Sequence, residues 1–378
     1  ETILSYDQIL LENYMNNKNH LNIIGIETSC DDTAIGIVRS DKRILSNVVI
    51  NQNSNLSKYG GIVPEVAARD HLYNIDFAIK DALEKAKLKI ENIDLVTATG
   101  GPGLIGGVIV GTVFAKSLAM SLEKPYVAVN HLEGHALTAR LSENVSYPYL
   151  LLLVSGGHTQ IIAVLGYGNY KRISSTLDDA AGETFDKAAK ILGIGFPGGP
   201  MIEKMALNGK PNSYKLPRPL YKSKNPNFSF SGLKTAFNQL VSKTDLNEEI
   251  ICDLSASIQK SISDCLVDRT KTAIKLFQTM LEEGSKVKIV VAGGVASNNY
   301  IRNELQKLCL ENNAVFFAPP IELCTDNGAM IAWAGYEKYN YEGSTKLDFK
   351  PRPRWPLDPE AHLKNPIHAV VGKGGVKA

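Results

Sequence analysis

Two stretches of the chain repeat one pattern of hydrophobic and polar positions. In each stretch, an apolar run precedes a short polar turn and a second apolar run. The first consists of Ile23–Glu27, Thr28–Thr33 and Ala34–Val38, and the second of Leu150–Val154, Ser155–His158 and Thr159–Val164. Short apolar runs bounded by small and polar residues are typical of buried strands. Because the same order occurs twice, we expect two related α/β halves.

Two further predicted strands each lead through a glycine-rich turn into a helix. Leu95–Thr99 precedes the turn Gly100–Gly107 and a helix through Leu122, and Val287–Ala292 precedes the turn Gly293–Asn298. Glycines before a helix permit close approach of an anion, which the helix dipole favours. The first turn matches neither the P-loop nor the dinucleotide fingerprint, so ligand contact and close helix packing both stay open. The second turn is expected to support a base or ribose.

Apolar residues at helical spacing predict further helices. One runs from about Pro64 to Lys87, with Leu72 on its core-facing side, and follows a predicted loop at Tyr59–Glu65. Other helical segments are expected between roughly Asn247 and Leu281.

Composition places the chain among ordinary soluble globular proteins. Its 378 residues can form two domains, with 44% hydrophobic and 21% charged residues. The longest strongly apolar run, Leu150–Val154, is far shorter than a membrane span, and no signal peptide is visible. Five scattered cysteines without CxxC spacing favour a reducing compartment. The formal net charge of +2 is too small to indicate a protein that binds nucleic acid. Local clusters of basic residues would have to provide such binding.

The sequence His131-Leu132-Glu133-Gly134-His135 follows a predicted strand at 125–130. Histidines four residues apart lie on one face of a helix, where both can reach one metal ion. The spacing alone is weak evidence for a metal site. It gains weight because the chain has only seven histidines. Asp326, just before an apolar helix, could cap that helix or complete the metal site. The motif differs from the H-E-x-x-H motif of zincin-type metalloproteases, because the acid Glu133 lies two residues after the first histidine. Glu133 is therefore not placed to act as the general base of such a protease.

Two other groups of polar residues are open to more than one interpretation. The carboxylates of Asp178–Lys187 precede or begin a helix, where they could meet a metal or substrate hydroxyls or only cap the helix. Basic and aromatic residues alternate in Lys210–Phe230, which suits either a nucleic-acid edge or a solvated loop. A second basic segment contains Lys350, Arg352 and Arg354.

The chain carries a series of short motifs in a fixed order. They are Gly25–Thr33, Gly100–Leu104, His131 with His135, Val154–Gln160, Asp178–Lys187, Phe228–Lys234 and Cys324–Met330. With these motifs, from about Leu21 to Trp355, the chain resembles the bacterial and mitochondrial branch of the tRNA threonylcarbamoyladenosine transferase family, once labelled O-sialoglycoprotein endopeptidase.

The resemblance implies an α/β architecture, the two-lobed fold of actin, Hsp70 and sugar kinases, which is a duplicated RNase H-like fold. The expected domains are residues 22–148 with 323–355 for the first lobe, which carries the metal site, and 149–322 for the second, which carries the adenylate-binding turns. Residues 1–21 form a leader and residues 356–378 a tail outside the resemblance.

The implied reaction transfers the threonylcarbamoyl group from threonylcarbamoyl-AMP to the N6 amine of the adenosine 3′ of the anticodon in ANN-decoding tRNAs. The implied metal is one Fe²⁺ per subunit, with zinc as the alternative, held by residues that match His131, His135 and Asp326; no protein nucleophile is expected. The substrate contacts that match the family are Leu153, Val154, Ser155, Gly156, Gly157, Asp186, Gly199, Glu203 and Asn298.

The resemblance also implies partners. We expect tRNA, a same-fold paralogue and a small P-loop ATPase, a cytoplasmic location with the mitochondrial matrix as second choice, and no membrane. An ATP-dependent phosphotransferase or nucleotide switch of the same fold, or a metalloprotease, would be the alternatives. Neither ATP-dependent alternative needs a pair of histidines.

Overall fold

The computed structural model describes residues 18–51 and 63–364. The chain divides into two compact units. The first comprises the described residues up to Ser142 together with Asp326–Pro356, and the second comprises Glu143–Thr325 and the described residues from Leu357. Most of the predicted leader, most of the predicted loop Tyr59–Glu65 and the tail from residue 365 lie outside the described residues.

Each unit contains a five-stranded sheet. The strands of the first unit are β1 (Asn22–Glu27), β2 (Asp32–Arg39), β3 (Ile44–Asn51), β4 (Leu95–Gly101) and β5 (Tyr126–Asn130). Those of the second are β6 (Tyr149–Val154), β7 (Thr159–Gly166), β8 (Asn169–Ser175), β9 (Lys288–Ala292) and β10 (Val315–Phe317).

The two sheets have the same topology. Their orders are β3-β2-β1-β4-β5 and, read from the equivalent edge, β8-β7-β6-β9-β10. In each sheet, the first three strands in this order pair antiparallel with their neighbours. The fourth strand pairs in parallel with the third, and the fifth pairs in parallel with the fourth. The sequence prediction of two related α/β halves is therefore confirmed.

Helices cover both sheets. In the first unit they are α1 (Pro64–Ala86), α2 (Ile105–Leu122), α3 (His131–Ser142) and, after the second unit, α9 (Gly328–Glu342). In the second unit they are α4 (Ala181–Leu192), α5 (Gly198–Ala206), α6 (Ser231–Val241), α7 (Glu248–Gln278), α8 (Asn299–Glu311) and the short α10 (Ala361–Lys364). The segment expected to hold several helices near 247–281 is thus the single helix α7.

Helix α1 has the predicted bounds, and its buried face includes the predicted Ile75 and Ala78 but not Leu72. Its buried residues include His71, Ile75, Ala78 and Ala82, which follow a helical spacing of three to four residues. Leu72 lies one position outside this stripe and is 63% exposed. The prediction that Leu72 belongs to the core is therefore wrong.

Helix α9 lies unusually close to the first sheet. A Cβ atom built on Gly36 would lie 2.1 Å from the backbone nitrogen of Ala329, and one built on Gly328 would lie 1.9 Å from that of Gly36. Glycine is required at such a contact because any side chain would force helix and sheet apart. The close contact holds the first turn of α9, directly after Asp326, against the sheet.

Among the described residues, one helix has the length and composition of a membrane span. It is α2, with a mean hydropathy of 1.7, a test that core helices of soluble proteins also pass. The sequence argument from Leu150–Val154 overlooked this helix because small residues interrupt its apolar run. Gly107 and Gly111 of α2 lie against Thr28, so one face of the helix packs within the unit.

Candidate functional site

The paired histidines and Asp326 meet in the first unit. One ligand atom from each lies within 4.8 Å of the other two. Oδ1 of Asp326 is 3.0 Å from Nε2 of His135 and 3.5 Å from Nε2 of His131. The imidazole rings lie edge to face with centroids 4.9 Å apart. Two imidazole nitrogens and one carboxylate form a donor set that suits a transition metal and leaves further coordination positions open.

The helix that carries both histidines begins where the sequence predicted. Strand β5 ends at Asn130, whose side-chain oxygen accepts a hydrogen bond from the backbone of Leu132 at 2.9 Å. Asp326, in contrast, does not cap α9, because the side chain of Asn327 accepts from the backbone of Met330. Of the two roles that the sequence left open for Asp326, only the place beside the histidines agrees with the structure.

The residues fit a bound cation because acidic groups lie close together around the donor atoms. Burial and the nearby charges of Asp31, Asp326 and Glu27 raise the pKa of Asp32 to about 8. Because these carboxylates repel one another, a positive charge at their centre would be stabilising.

Glu27 is a site residue that the sequence reasoning missed. Its side chain is 1% exposed, and its Oε2 atom lies 2.9 Å from Nδ1 of His131. Since a carboxylate only accepts, Nδ1 of His131 donates the proton of this bond, and Nε2 is directed to Asp326. Backbone N–H of Ser29 and the hydroxyl of Thr99 also donate to Glu27. A buried acid at the end of the first strand was the available signal.

The ionisation of His131 follows from these contacts. Burial lowers its pKa, but the charges of Asp326 and Glu27 and the hydrogen bond to Glu27 outweigh burial and raise the pKa to about 9. The pKa of Glu27 is lowered: burial raises it, but His131 outweighs this effect. In the metal-free chain, the pair therefore carries opposite charges.

The predicted substrate residues lie in the second unit. Leu153 and Val154 end strand β6, and Ser155 begins a tight turn in which its backbone N–H donates to the carbonyl of His158 at 2.8 Å. Cβ atoms built on Gly156 and Gly157 would meet nothing within 4 Å. The turn is thus held at its base, while its two glycines border open space.

Asp186 and Gly199 are joined through the start of α5. Oδ1 of Asp186 accepts a hydrogen bond from the backbone of Gly198 at 2.7 Å. A Cβ atom on Gly198 would lie 2.4 Å from Cα of Asp186, whereas one on Gly199 would meet nothing within 4 Å. Only the second of these glycines therefore borders open space.

Asn298 is held in one orientation by a second residue that the sequence reasoning missed. Its oxygen caps α8 by accepting from the backbone of Ile301 at 3.0 Å, and its amide nitrogen donates to Oε1 of Gln259 at 2.8 Å. Gln259 is 5% exposed, on helix α7. The next residue, Asn299, donates from its backbone to Glu203 at 2.8 Å, so Glu203 and Asn298 lie on neighbouring elements.

The acids at the start of α4 do not cap that helix. The N-cap of α4 is Ala180, without a side-chain cap. Asp178 instead accepts hydrogen bonds from the backbone of Phe230 and Ser231 at the start of α6. Asp179 pairs with Lys187 and Lys234. Asp178 does cap a helix, but one that begins about fifty residues later, which local sequence cannot indicate.

The glycine turn after β4 serves close packing. Cβ atoms on Gly103 and Gly107 would lie 2.5 Å and 2.2 Å from the backbone oxygens of Ser29 and Thr28. Of the two interpretations from the sequence, packing is the one that these contacts support. The turn after β9 closes similarly on β6, because a Cβ atom on Gly293 would lie 2.4 Å from the carbonyl oxygen of Val154.

Comparison with known proteins identifies the family. Residues 43–333 match the family model described as tRNA N6-adenosine threonylcarbamoyltransferase. The chain is 51% identical over 339 residues to the protein of that name from Rickettsia rickettsii, which covers 89% of this chain and 98% of the relative. It is also 51% identical over 363 residues to that from Brucella anthropi, with 95% and 100% covered.

A solved structure supports the fold. HypF of T. kodakarensis aligns with a TM-score of 0.56 at 16% sequence identity, over 88% of this chain and 50% of that one. At this identity, the likeness bears on the fold alone, and it agrees with the predicted two-lobed α/β class. On the match of the family model and the identity to its curated relatives, this chain belongs to the tRNA N6-adenosine threonylcarbamoyltransferase family.

Proposed function

We propose that this chain modifies the adenosine 3′ of the anticodon in ANN-decoding tRNAs with a metal held by His131, His135 and Asp326. The observation that supports this proposal is the convergence of three donor atoms beside a group of carboxylates, of which Glu27 is buried. The transfer is an acyl transfer. The adenosine N6 amine attacks the carbamoyl carbon of threonylcarbamoyl-AMP, and the bond from that carbon to the phosphate oxygen breaks. AMP leaves with the electron pair, and the attacking nitrogen loses one proton to solvent.

The chain needs no nucleophile of its own, since the mixed anhydride is already activated. A bound Fe²⁺ or Zn²⁺ ion would supply Lewis-acid polarisation of the carbamoyl carbonyl. Glu27 holds the ring of His131 through Nδ1 and so fixes the direction of Nε2. The remaining acceleration comes from holding the reactants in a productive orientation.

We assign the adenylate to the second unit. Gly156, Gly157 and Gly199 allow the backbone to approach AMP closely, because a Cβ atom built on each of them would meet no atom of the described residues within 4 Å. Asn298 has one amide hydrogen that remains available after its bond to Gln259, and Asp186 and Glu203 are the candidate partners of hydroxyl groups. The turn that contains Gly156 and Gly157 is positioned by Leu153, Val154 and Ser155.

We further propose that the chain works in the cytoplasm with a same-fold paralogue and a small P-loop ATPase. An exposed group of apolar side chains on α1 and α2, called the apolar face below, supports the association with a paralogue. It consists of Leu72, Tyr73, Phe77, Ile109 and Val113, which are between 44% and 74% exposed. A face of this kind commonly marks a protein interface. The five free cysteines agree with a reducing compartment.

The metal assignment is tested by His131→Ala. The substitution removes a direct ligand, so metal affinity should fall by more than the roughly 10–100-fold typical of residues that only orient a ligand. Metal content of the purified protein and transfer to a substrate tRNA should be lost together, while circular dichroism stays unchanged.

His20→Ala is the matched control, because His20 is an exposed histidine in the same unit. The control should retain metal and activity. Full metal occupancy in the His131→Ala protein would show that the site is elsewhere.

A further inference from the structure

The exposed segment Lys215–Asn225, called the basic loop below, has an unusual backbone. Leu220 and Lys222 have φ angles of 58° and 60°, a left-handed conformation that is costly for residues other than glycine. Such a conformation persists only where surrounding contacts impose it. The loop therefore has one imposed shape, whereas a solvated loop needs none.

The contacts that impose this shape come from helix α7. The guanidinium of Arg269 is 1% exposed, and its Nη1 donates to the carbonyl oxygens of Ser223 at 3.1 Å and Asn225 at 2.5 Å. Its charge is balanced by Asp268, which also accepts a hydrogen bond from the backbone of Lys222 at 3.0 Å. Burial of a guanidinium is favourable only with such complete pairing, so the loop and Arg269 stabilise each other.

The fixed loop presents cations around one aromatic ring. Tyr221 is 42% exposed, with the Arg218 guanidinium 4.0 Å and the Lys222 ammonium 5.4 Å from its ring centroid. Lys215, Lys222 and Lys224 are exposed, and within the described part of the chain they form no salt bridge. Arg218, the fourth cation, forms a salt bridge with Asp264 at 3.4 Å.

We propose that the basic loop docks single-stranded RNA, namely the anticodon loop of the substrate tRNA; this inference rests on the proposed function. Unpaired lysines suit phosphates, and an exposed ring flanked by cations suits an unstacked base. Sequence-specific recognition of RNA usually targets such single-stranded loops. A preformed platform lowers the entropy cost of binding.

The second basic segment fits this role less well. The Arg352 guanidinium lies 5.3 Å and 4.9 Å from the ring centroids of Phe349 and Trp355, and its backbone N–H bonds to the carbonyl of Gly100. This arginine is thus tied to packing within the first unit.

The test measures the affinity of the full chain for a labelled anticodon stem-loop RNA at several salt concentrations. In the variant Lys215→Gln/Lys222→Gln/Lys224→Gln, each lost phosphate contact should reduce the slope of log affinity against log salt by about 0.7. If two lysines touch phosphates, the slope falls by about 1.4 and binding at 0.1 M salt weakens about 25-fold. Tyr221→Leu should weaken binding without changing the slope.

The matched control is Lys171→Gln/Lys243→Gln/Lys286→Gln, which removes the same charge from exposed positions of the same unit. Its salt slope should equal that of the unsubstituted chain. The proposal is overturned if the two triple variants behave alike, or if the unsubstituted chain shows no salt-dependent binding of this RNA. It is also overturned if the chain binds a fully duplex RNA as tightly as the stem-loop and the basic-loop substitutions reduce both affinities equally.

Measurements of AMP binding and thermal unfolding show whether the basic-loop variant remains folded.

Failure of this proposal is distinguishable from failure of the proposed function. Unchanged RNA affinity in the variant, with transfer activity present in the unsubstituted chain, refutes only the docking site. A weakened affinity in the variant, with no transfer by the unsubstituted chain and its partners, refutes only the function.

Discussion

At the scale of single residues, the most consequential contact is that of Glu27 with His131. Glu27→Gln keeps the size of the side chain but removes its charge. The amide cannot accept from Ser29, Thr99 and His131 together, so the ring of His131 loses its fixed direction. Metal affinity, measured by competition with a chelator, should fall about 10–100-fold.

Asp94→Asn is the control for this prediction. Asp94 is also a 1% exposed carboxylate of the first unit, but it bonds Lys18 and the backbone of Asn22 rather than a histidine. The control should bind metal as the unsubstituted chain does. Equal metal affinity in both variants would remove Glu27 from the site.

At the scale of elements, one ion pair joins the two helices next to the candidate ligands. Nε of Arg140, in the last turn of α3, lies 2.8 Å and 3.0 Å from the two carboxylate oxygens of Glu337 on α9. Arg140→Met removes this contact from the 6% exposed carboxylate of Glu337. The free energy of unfolding should fall by about 1–3 kcal/mol, measured as a lower midpoint in urea.

The double variant Arg140→Met/Glu337→Leu provides the comparison. It removes both charges of the pair, so it should recover part of the lost stability. A double variant less stable than Arg140→Met would contradict this account of the pair.

At the scale of the whole molecule, the apolar face of α1 and α2 is a surface that the described residues of the chain leave exposed. Phe77→Lys/Val113→Lys would place two charges in that face, where Phe77 is 67% and Val113 55% exposed. Both positions are already exposed, so stability and metal content should change little. Association with the same-fold paralogue, followed by size-exclusion chromatography with light scattering, should weaken at least about tenfold because burying a charge is costly.

Leu207→Lys/Leu310→Lys serves as its control, since these leucines are 81% and 78% exposed in the second unit. Unimpaired association of the α1–α2 variant would place the partner on another face.

The sequence by itself determined the elements and their repetition. Strands at Ile23–Glu27 and Leu150–Val154, the helix that begins at His131 and the capping of α8 by Asn298 all follow from periodicity and local chemistry. Such features depend on neighbours within a few residues, which the sequence displays directly. The spacing of His131 and His135 also indicated a candidate metal pair, and the resemblance to a family added the candidate substrate contacts.

Only the tertiary structure decided which distant residues meet. Asp326 lies 191 positions from His135, yet the close approach of α9 to the first sheet brings them within 3.0 Å. The roles of Glu27 and Gln259, the capping of α6 by Asp178 and the exposure of Leu72 also depend on contacts between elements. Periodicity indicates that a helix has a buried face, but the direction of that face and the partners of buried polar groups are set by packing, in which each contact depends on all the others.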